Sequence, residues 1–132
     1  AQWLMEYSAH HNVVMAHFDR WRFDVLRAEL DRLGAPPEWP LQPMGQGFKD
    51  MAPALDALEA EVLNGNVRHG NHPVLMMCAA NAVATVDPAG NRKLDKAKAT
   101  GRIDGLVAMA MAMYAGAKWY TEESAFDILF VG

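Results

Sequence analysis

Cysteine is nearly absent: Cys78 is the single one in 132 residues. That excludes an internal disulfide and fits a reducing cytosol, where such a thiol packs as a small apolar side chain. Long apolar runs are missing as well. The longest, Leu106 to Ala117, is too short to span a bilayer and is rich in small residues, so it reads as a core helix, and no secretory signal is visible. Positive charge is in deficit, with a net charge of −4, so any DNA contact must come from a local basic patch. No Gly-x-x-x-x-Gly-Lys-Ser/Thr phosphate loop occurs, and no internal repeat or low-complexity segment.

What is present is ordinary for a globular domain: 52% hydrophobic and 21% charged residues, enough for one domain or part of one. The first residues, Ala1 to Tyr7, are already amphipathic with no initiator Met or cap before them, which reads as the end of a helix cut from something longer. Asn12 to Phe18 reads as a buried strand ending at Asp19. Phe23, Leu26, Leu30 and Leu33 fall at helical spacing, with Gly34 as the stop and Pro36 and Pro37 blocking continuation. Leu41 to Met44 is an edge strand at best, between Pro40 and Pro43. Gly45-Gln-Gly47 then turns the chain. Asp50 is a candidate N-cap for a helix with Leu55, Leu58 and Val62 on one face, closing at Asn64-Gly65. A further helix is expected from Pro73 to Asn81, then an extended piece from Ala82 to Val86 with a turn at Asp87 to Gly90. The alternation of strand and helix up to Gly47 points to an α/β fold. In the tail, the apolar run Ile128 to Val131 is available to dock on the core or to pair with another piece.

Two aspartates stand at informative places. Asp19 falls where a strand ends, the edge at which open α/β sheets bind ligands. Asp104 opens the apolar helix from Ile103 to Ala117, where the positive end of the helix dipole favours an ionised carboxylate. Brought together, two such carboxylates would repel unless a divalent cation lay between them, and oxygen ligands suit Mg²⁺ or Mn²⁺. The plain reading of each is a helix cap or a dipole partner. Between Asn91 and Arg102 lie Arg92, Lys93, Lys96, Lys98 and Arg102, five of the chain's twelve basic residues, with Asp95 the only acid among them. The five histidines, His10, His11, His17, His69 and His72, match no standard zinc spacing.

Six strings occur in an order that resembles a known family. They are Ala16-His-Phe-Asp-Arg-Trp-Arg22, Gly45-Gln-Gly-Phe-Lys-Asp-Met-Ala-Pro53, Arg68-His-Gly-Asn-His-Pro-Val-Leu75, Asn81-Ala-Val, Asp87-Pro-Ala-Gly-Asn-Arg-Lys93 and Gly101-Arg-Ile-Asp-Gly-Leu-Val-Ala108. The chain resembles the C-terminal nuclease domain of the large terminase subunit of tailed bacteriophages, over residues 1–116, with 117–132 as a tail. That resemblance implies a ribonuclease H-like fold: a mixed sheet with flanking helices, presenting three acids to a two-metal site of Mg²⁺ or Mn²⁺. Asp19 is similar to the second acid and Asp104 to the third, so both are expected as catalytic metal ligands. The first acid, in a Gly-hydrophobic-Asp context, has no match here, so the first strands and the ATPase half are expected to be missing and the fragment inactive alone.

The implied activity is endonucleolytic hydrolysis of concatemeric double-stranded DNA during packaging, in the bacterial host cytoplasm, whether phage- or prophage-encoded. Arg92, Lys93, Lys96, Lys98 and Arg102 would contact the DNA backbone, orienting the duplex without reading sequence. Implied partners are DNA, the portal protein, the small terminase subunit and further copies in a packaging motor, with no membrane. Two other readings stay open: a non-catalytic terminase remnant that docks on DNA or portal, and an unrelated α/β domain whose aspartates are only caps. His69 and Asn71 are expected to fix a turn before the helix at Pro73, Asn81 to cap or bridge backbone groups, and Met109 to Met113 to pack in the core.

Overall fold

The computed structural model describes residues 1–21, 23–34 and 41–129, with 121–129 as backbone alone. The chain divides into two compact units, Ala1–Met44 and Gly45–Gly132.

The first unit holds α1 (Gln2–His10), β1 (Ala16–Asp19), α2 (Phe23–Arg32) and β2 (Leu41–Met44). On α1, Trp3, Tyr7 and His11 recur one turn apart and stack, with ring centroids 5.0 and 4.0 Å apart. β1 and β2 pair in parallel, from Ala16 opposite Leu41 to Asp19 opposite Met44. Parallel neighbours cannot be joined by a tight hairpin, and α2 lies in the crossover between them. The strand covers Ala16–Asp19, shorter than the expected Asn12 to Phe18 and ending one residue further on. Phe18 at its end stacks on Phe23 at the start of α2, centroids 3.6 Å apart. α2 buries Leu30 and gives way to Gly34 at φ +71°, a left-handed stop that favours glycine. The prolines expected to block it, Pro36 and Pro37, and Pro40 beside β2, lie outside the described residues.

The second unit holds α3 (Phe48–Leu63), α4 (Pro73–Asn81), β3 (Ala84–Val86), β4 (Arg92–Leu94) and α5 (Asp104–Leu129). Its core is helical. Ile103 just before α5 and Val107, Ala110, Met111 and Ala115 on it are buried along one stripe, and α3 packs against that helix with Met51, Ala52, Ala54 and Leu58 buried. Small residues allow close approach on α4 as well: a Cβ on Gly105 would come 3.3 Å from the Cys78 sulfur. Cys78 is buried, as its expected role as a small apolar side chain requires. β3 and β4 form an antiparallel hairpin whose turn is organised by Asp87: its carboxylate accepts the Ala89 and Asn91 N–H groups and the Asn91 amide. Where the resemblance implies one mixed sheet, the described residues form two two-stranded ones, one parallel and one antiparallel. Among the described residues no helix is long and apolar enough to cross a membrane.

Three local expectations change. Asp50 is not the N-cap of α3; Gly47 is, in extended conformation, and the Asp50 carboxylate reaches back to accept the Gly45 N–H at 2.9 Å. From inside the first turn it meets the helix dipole and ties down the preceding bend. The apolar face of α3 is also rotated: Val62 is 53% exposed, and burial falls on the N-terminal half, around Met51. Finally, the backbone of α5 runs on past Ala117 to Leu129, while the side chains of the tail run Ile128 to Val131 lie outside the described residues.

Met51→Ala empties a fully buried position and is expected to cost about 2–5 kcal/mol, whereas Val62→Ala should stay within about 0.5 kcal/mol. Urea unfolding of the two variants beside the wild type checks both.

Candidate nuclease-type site

Asp19 is the last residue of β1, at the carboxyl end of the parallel pair, and is exposed. Its carboxylate accepts the Trp21 N–H at 3.1 Å, a local turn that orients the side chain where strand gives way to helix. α2 begins two residues beyond Trp21, so Asp19 stands outside its first turn and is not its N-cap.

Asp104 is the first residue of α5, in the second unit. Ile103 before it is 2% exposed, and its carbonyl accepts the Leu106 and Val107 N–H groups, so the helix starts where the core ends and Asp104 is turned to solvent. Lys96 reaches it, Nζ to Oδ1 at 3.2 Å, with the two side chains 49% and 64% exposed. Together with Gly101, Arg102 and Ile103 they line an open depression of about 380 Å³.

The five basic residues divide by what they touch. Arg92, on β4, forks onto two carboxylates of α3, Asp56 at 2.5 Å and Glu59 at 2.7 Å. The hydrogen bond from Arg92 holds the Glu59 carboxyl below its usual value of 4.5. Lys93 lies over the Phe48 ring, 4.8 Å from its centroid. Both therefore attach the hairpin to α3. Lys96 faces Asp104, and among the described residues Lys98 and the Arg102 guanidinium carry no ion pair and are exposed. No group of three or more His, Cys, Asp or Glu side chains suited to a metal is gathered among the described residues.

The loop before α5 is braced at both ends. The Asp95 N–H donates to the Val83 carbonyl at 2.8 Å, and the Asp95 carboxylate accepts the Ala97 and Lys98 N–H groups. Asn81 bridges the far end: its carbonyl accepts the Thr100 N–H, its side-chain oxygen accepts the Thr100 hydroxyl, and its amide donates to the Arg102 carbonyl. This is the bridging role expected of Asn81. A Cβ on Gly101 would come 2.6 Å from the Asn81 amide nitrogen, so the backbone passes where only glycine fits without displacing that side chain. The turn before α4 is likewise fixed locally: Gly70 and Asn71 take positive φ, Asn71 N–H donates to His69 Nδ1, and His72 caps α4 through the Val74 N–H.

Residues 3–119 match the model of a family described as terminase large subunit, endonuclease domain. The chain is similar to the terminase large subunit of Enterobacteria phage HK97, 60% identical over 106 residues that make up 80% of this chain and 21% of that protein. It is similar to protein YmfN of Escherichia coli (strain K12), 29% identical over 84 residues, 62% of this chain and 18% of that protein. The crystal structure of the HK97 bacteriophage large terminase aligns with a TM-score of 0.78 at 55% identity, over 86% of this chain and 23% of that one. The chain thus spans about a fifth of the length of the curated relatives it matches.

Sequence reasoning missed Asp56 and Glu59 as partners of Arg92. Their spacing on α3 puts both on one face, but nothing local ties that face to a strand more than thirty residues away. A depressed carboxyl stabilises the fold above the unfolded value and loses that contribution as pH falls through the folded one. Arg92→Ala should therefore lower the melting temperature at pH 7, and its deficit against wild type should shrink below about pH 4.5, as thermal melts from pH 7 to 3 will show.

Proposed function

This chain belongs to the family of terminase large subunit endonuclease domains, and from that premise we propose that it is the later part of a ribonuclease H-like nuclease in which Asp19 and Asp104 hold divalent metal against DNA. The activity is endonucleolytic hydrolysis of concatemeric double-stranded DNA by a packaging terminase in the bacterial cytoplasm. Its partners would be DNA, a portal protein, a small terminase subunit and further copies of the large subunit. What carries the reading is where the two aspartates stand: one closes a parallel strand and one opens the long core helix, both turned to solvent at element ends.

The donor chemistry fits the expected ions. Both aspartates offer hard carboxylate oxygens, and Mg²⁺ is commonly held by one or two carboxylates with water and substrate phosphate completing the sphere. The family's first acid has no counterpart in these residues, so these two side chains are part of a ligand set. When bound, Mg²⁺ or Mn²⁺ held by these carboxylates would supply a nucleophile made from water and take up charge on the phosphate and leaving oxygen. Asp19 is oriented for such a role by the Trp21 N–H. Asp104 is oriented by the buried Ile103 beside it, at a helix N-terminus whose dipole attracts negative charge. No side-chain nucleophile is needed. Lys98 and Arg102, exposed on the loop before α5, are the basic residues best placed for phosphate contact, with Arg92 and Lys93 already engaged by α3.

Plasmid cleavage in Mg²⁺ and Mn²⁺, by the chain extended upstream through a strand carrying the first acid, tests this. Asp19→Asn and Asp104→Asn should each lower the rate by at least about a hundredfold, beyond what loss of an outer-shell partner does. Undiminished cutting removes that residue from the site. A folded wild type that binds DNA without cutting it points to the docking module instead. For DNA contact, Lys98→Ala and Arg102→Ala should each reduce the slope of log affinity against log salt by about 1, while Arg92→Ala should leave it nearly unchanged.

A further inference from the structure

We propose that Lys96 is the resident counter-cation of Asp104, and that a divalent cation binds this carboxylate in competition with the ammonium. This rests on the reading of Asp104 as a metal ligand.

Lys96 Nζ lies 3.2 Å from Asp104 Oδ1, on the very group that would coordinate metal. The contact follows from the way the loop is built. Asp95 is tied to Val83 and folds the next residues around its own carboxylate, while Thr100 and Arg102 are tied to Asn81. Both ends of the segment are thereby fixed, and Lys96 is set down over the first residue of α5. Arg102 lines the same depression, so the carboxylate is approached through a basic surround.

The pair is suited to exchange. At 49% and 64% exposure, a hydrated cation has access and the displaced ammonium has water to move into. Exposed ion pairs carry little net preference, no more than about fivefold in an equilibrium constant. Lys96 therefore competes with metal without excluding it. The competition keeps the carboxylate neutralised in the metal-free protein and makes occupancy depend on the free concentration of divalent ion. A lysine suits this better than an arginine, since its compact charge on a flexible stem leaves readily, whereas a guanidinium fork would hold a carboxylate at two points.

The test is a Mn²⁺ titration of the chain extended upstream through a strand carrying the first acid, followed by paramagnetic broadening of the Gly105 and Leu106 amide signals in heteronuclear NMR spectra. Lys96→Met, which keeps the stem and removes the charge, should reach half-broadening at about two- to fivefold lower Mn²⁺ than wild type. Lys96→Arg should require as much Mn²⁺ as wild type or more, and Asp104→Asn should lose the effect. Thermal melts of each variant establish that the fold is kept. Equal midpoints for wild type and Lys96→Met overturn the exchange while leaving Asp104 a metal ligand. Weaker binding by Lys96→Met overturns it too, by making Lys96 a support for the metal. Absence of broadening near Asp104 in wild type removes the metal reading and this inference together.

Discussion

The burial of Ile103 is the constraint on which the second unit turns. It is the first residue of a buried stripe that continues through Val107, Ala110, Met111 and Ala115, and a stripe of that period can be satisfied only by a helix laid against apolar neighbours. Because that helix starts where the stripe starts, Asp104 is held at a fixed point, at the boundary between core and solvent. The position of a charged group is thus set by an apolar one. No polar interaction has to hold it there, which leaves the carboxylate available for a cation.

The rest of the second unit closes around this helix with little bulk. Gly105 and Cys78 let α4 approach, and Asn81 at the end of α4 braces the loop that delivers the chain to Ile103. The hairpin is held separately, through Arg92 and Lys93 on α3. The same stretch of sequence therefore does two kinds of work. Its first two basic residues secure a strand by neutralising or covering α3, and its later ones face the solvent side of the loop. Sequence alone treats the five as equivalent because their separation is short; the change from strand to loop after Leu94 is what divides them.

Much of the fold was legible where punctuation is local. Pro73 starts α4, Asn64-Gly65 closes α3, Gly34 stops α2, and the strand and helix ends at Asp19 and Asp104 fall where residue pattern puts them. Each of these rests on a backbone preference or a cap that acts within a few residues. The family was legible too, from six strings in order. What was not legible depended on partners distant in sequence: β4 as a strand, which exists only because β3 lies beside it, and the rotation of the α3 face toward Met51, which depends on where α5 lies. Asp50 shows the middle case. An Asp before an apolar run reads as an N-cap, but Gly47 reaches the same backbone conformation unaided, and the helix begins two residues before Asp50.

A chain of net charge −4 in the family of terminase large subunit endonuclease domains can offer a basic surface to DNA only locally. Between Asn91 and Arg102 that surface is small, because two of the five basic residues are already balanced: Arg92 by two carboxylates, Lys96 by Asp104. Of that stretch Lys98 and Arg102 remain exposed, and Arg102 lines the same depression that Asp104 borders. If a divalent cation takes the place of Lys96, the balance at Asp104 changes from neutral to positive, and the ammonium joins the two cations already facing solvent. Metal loading and phosphate attraction would then rise together from one exchange on one carboxylate. An acidic chain arranged in this way would attract a phosphate backbone most strongly in the state that can cut it.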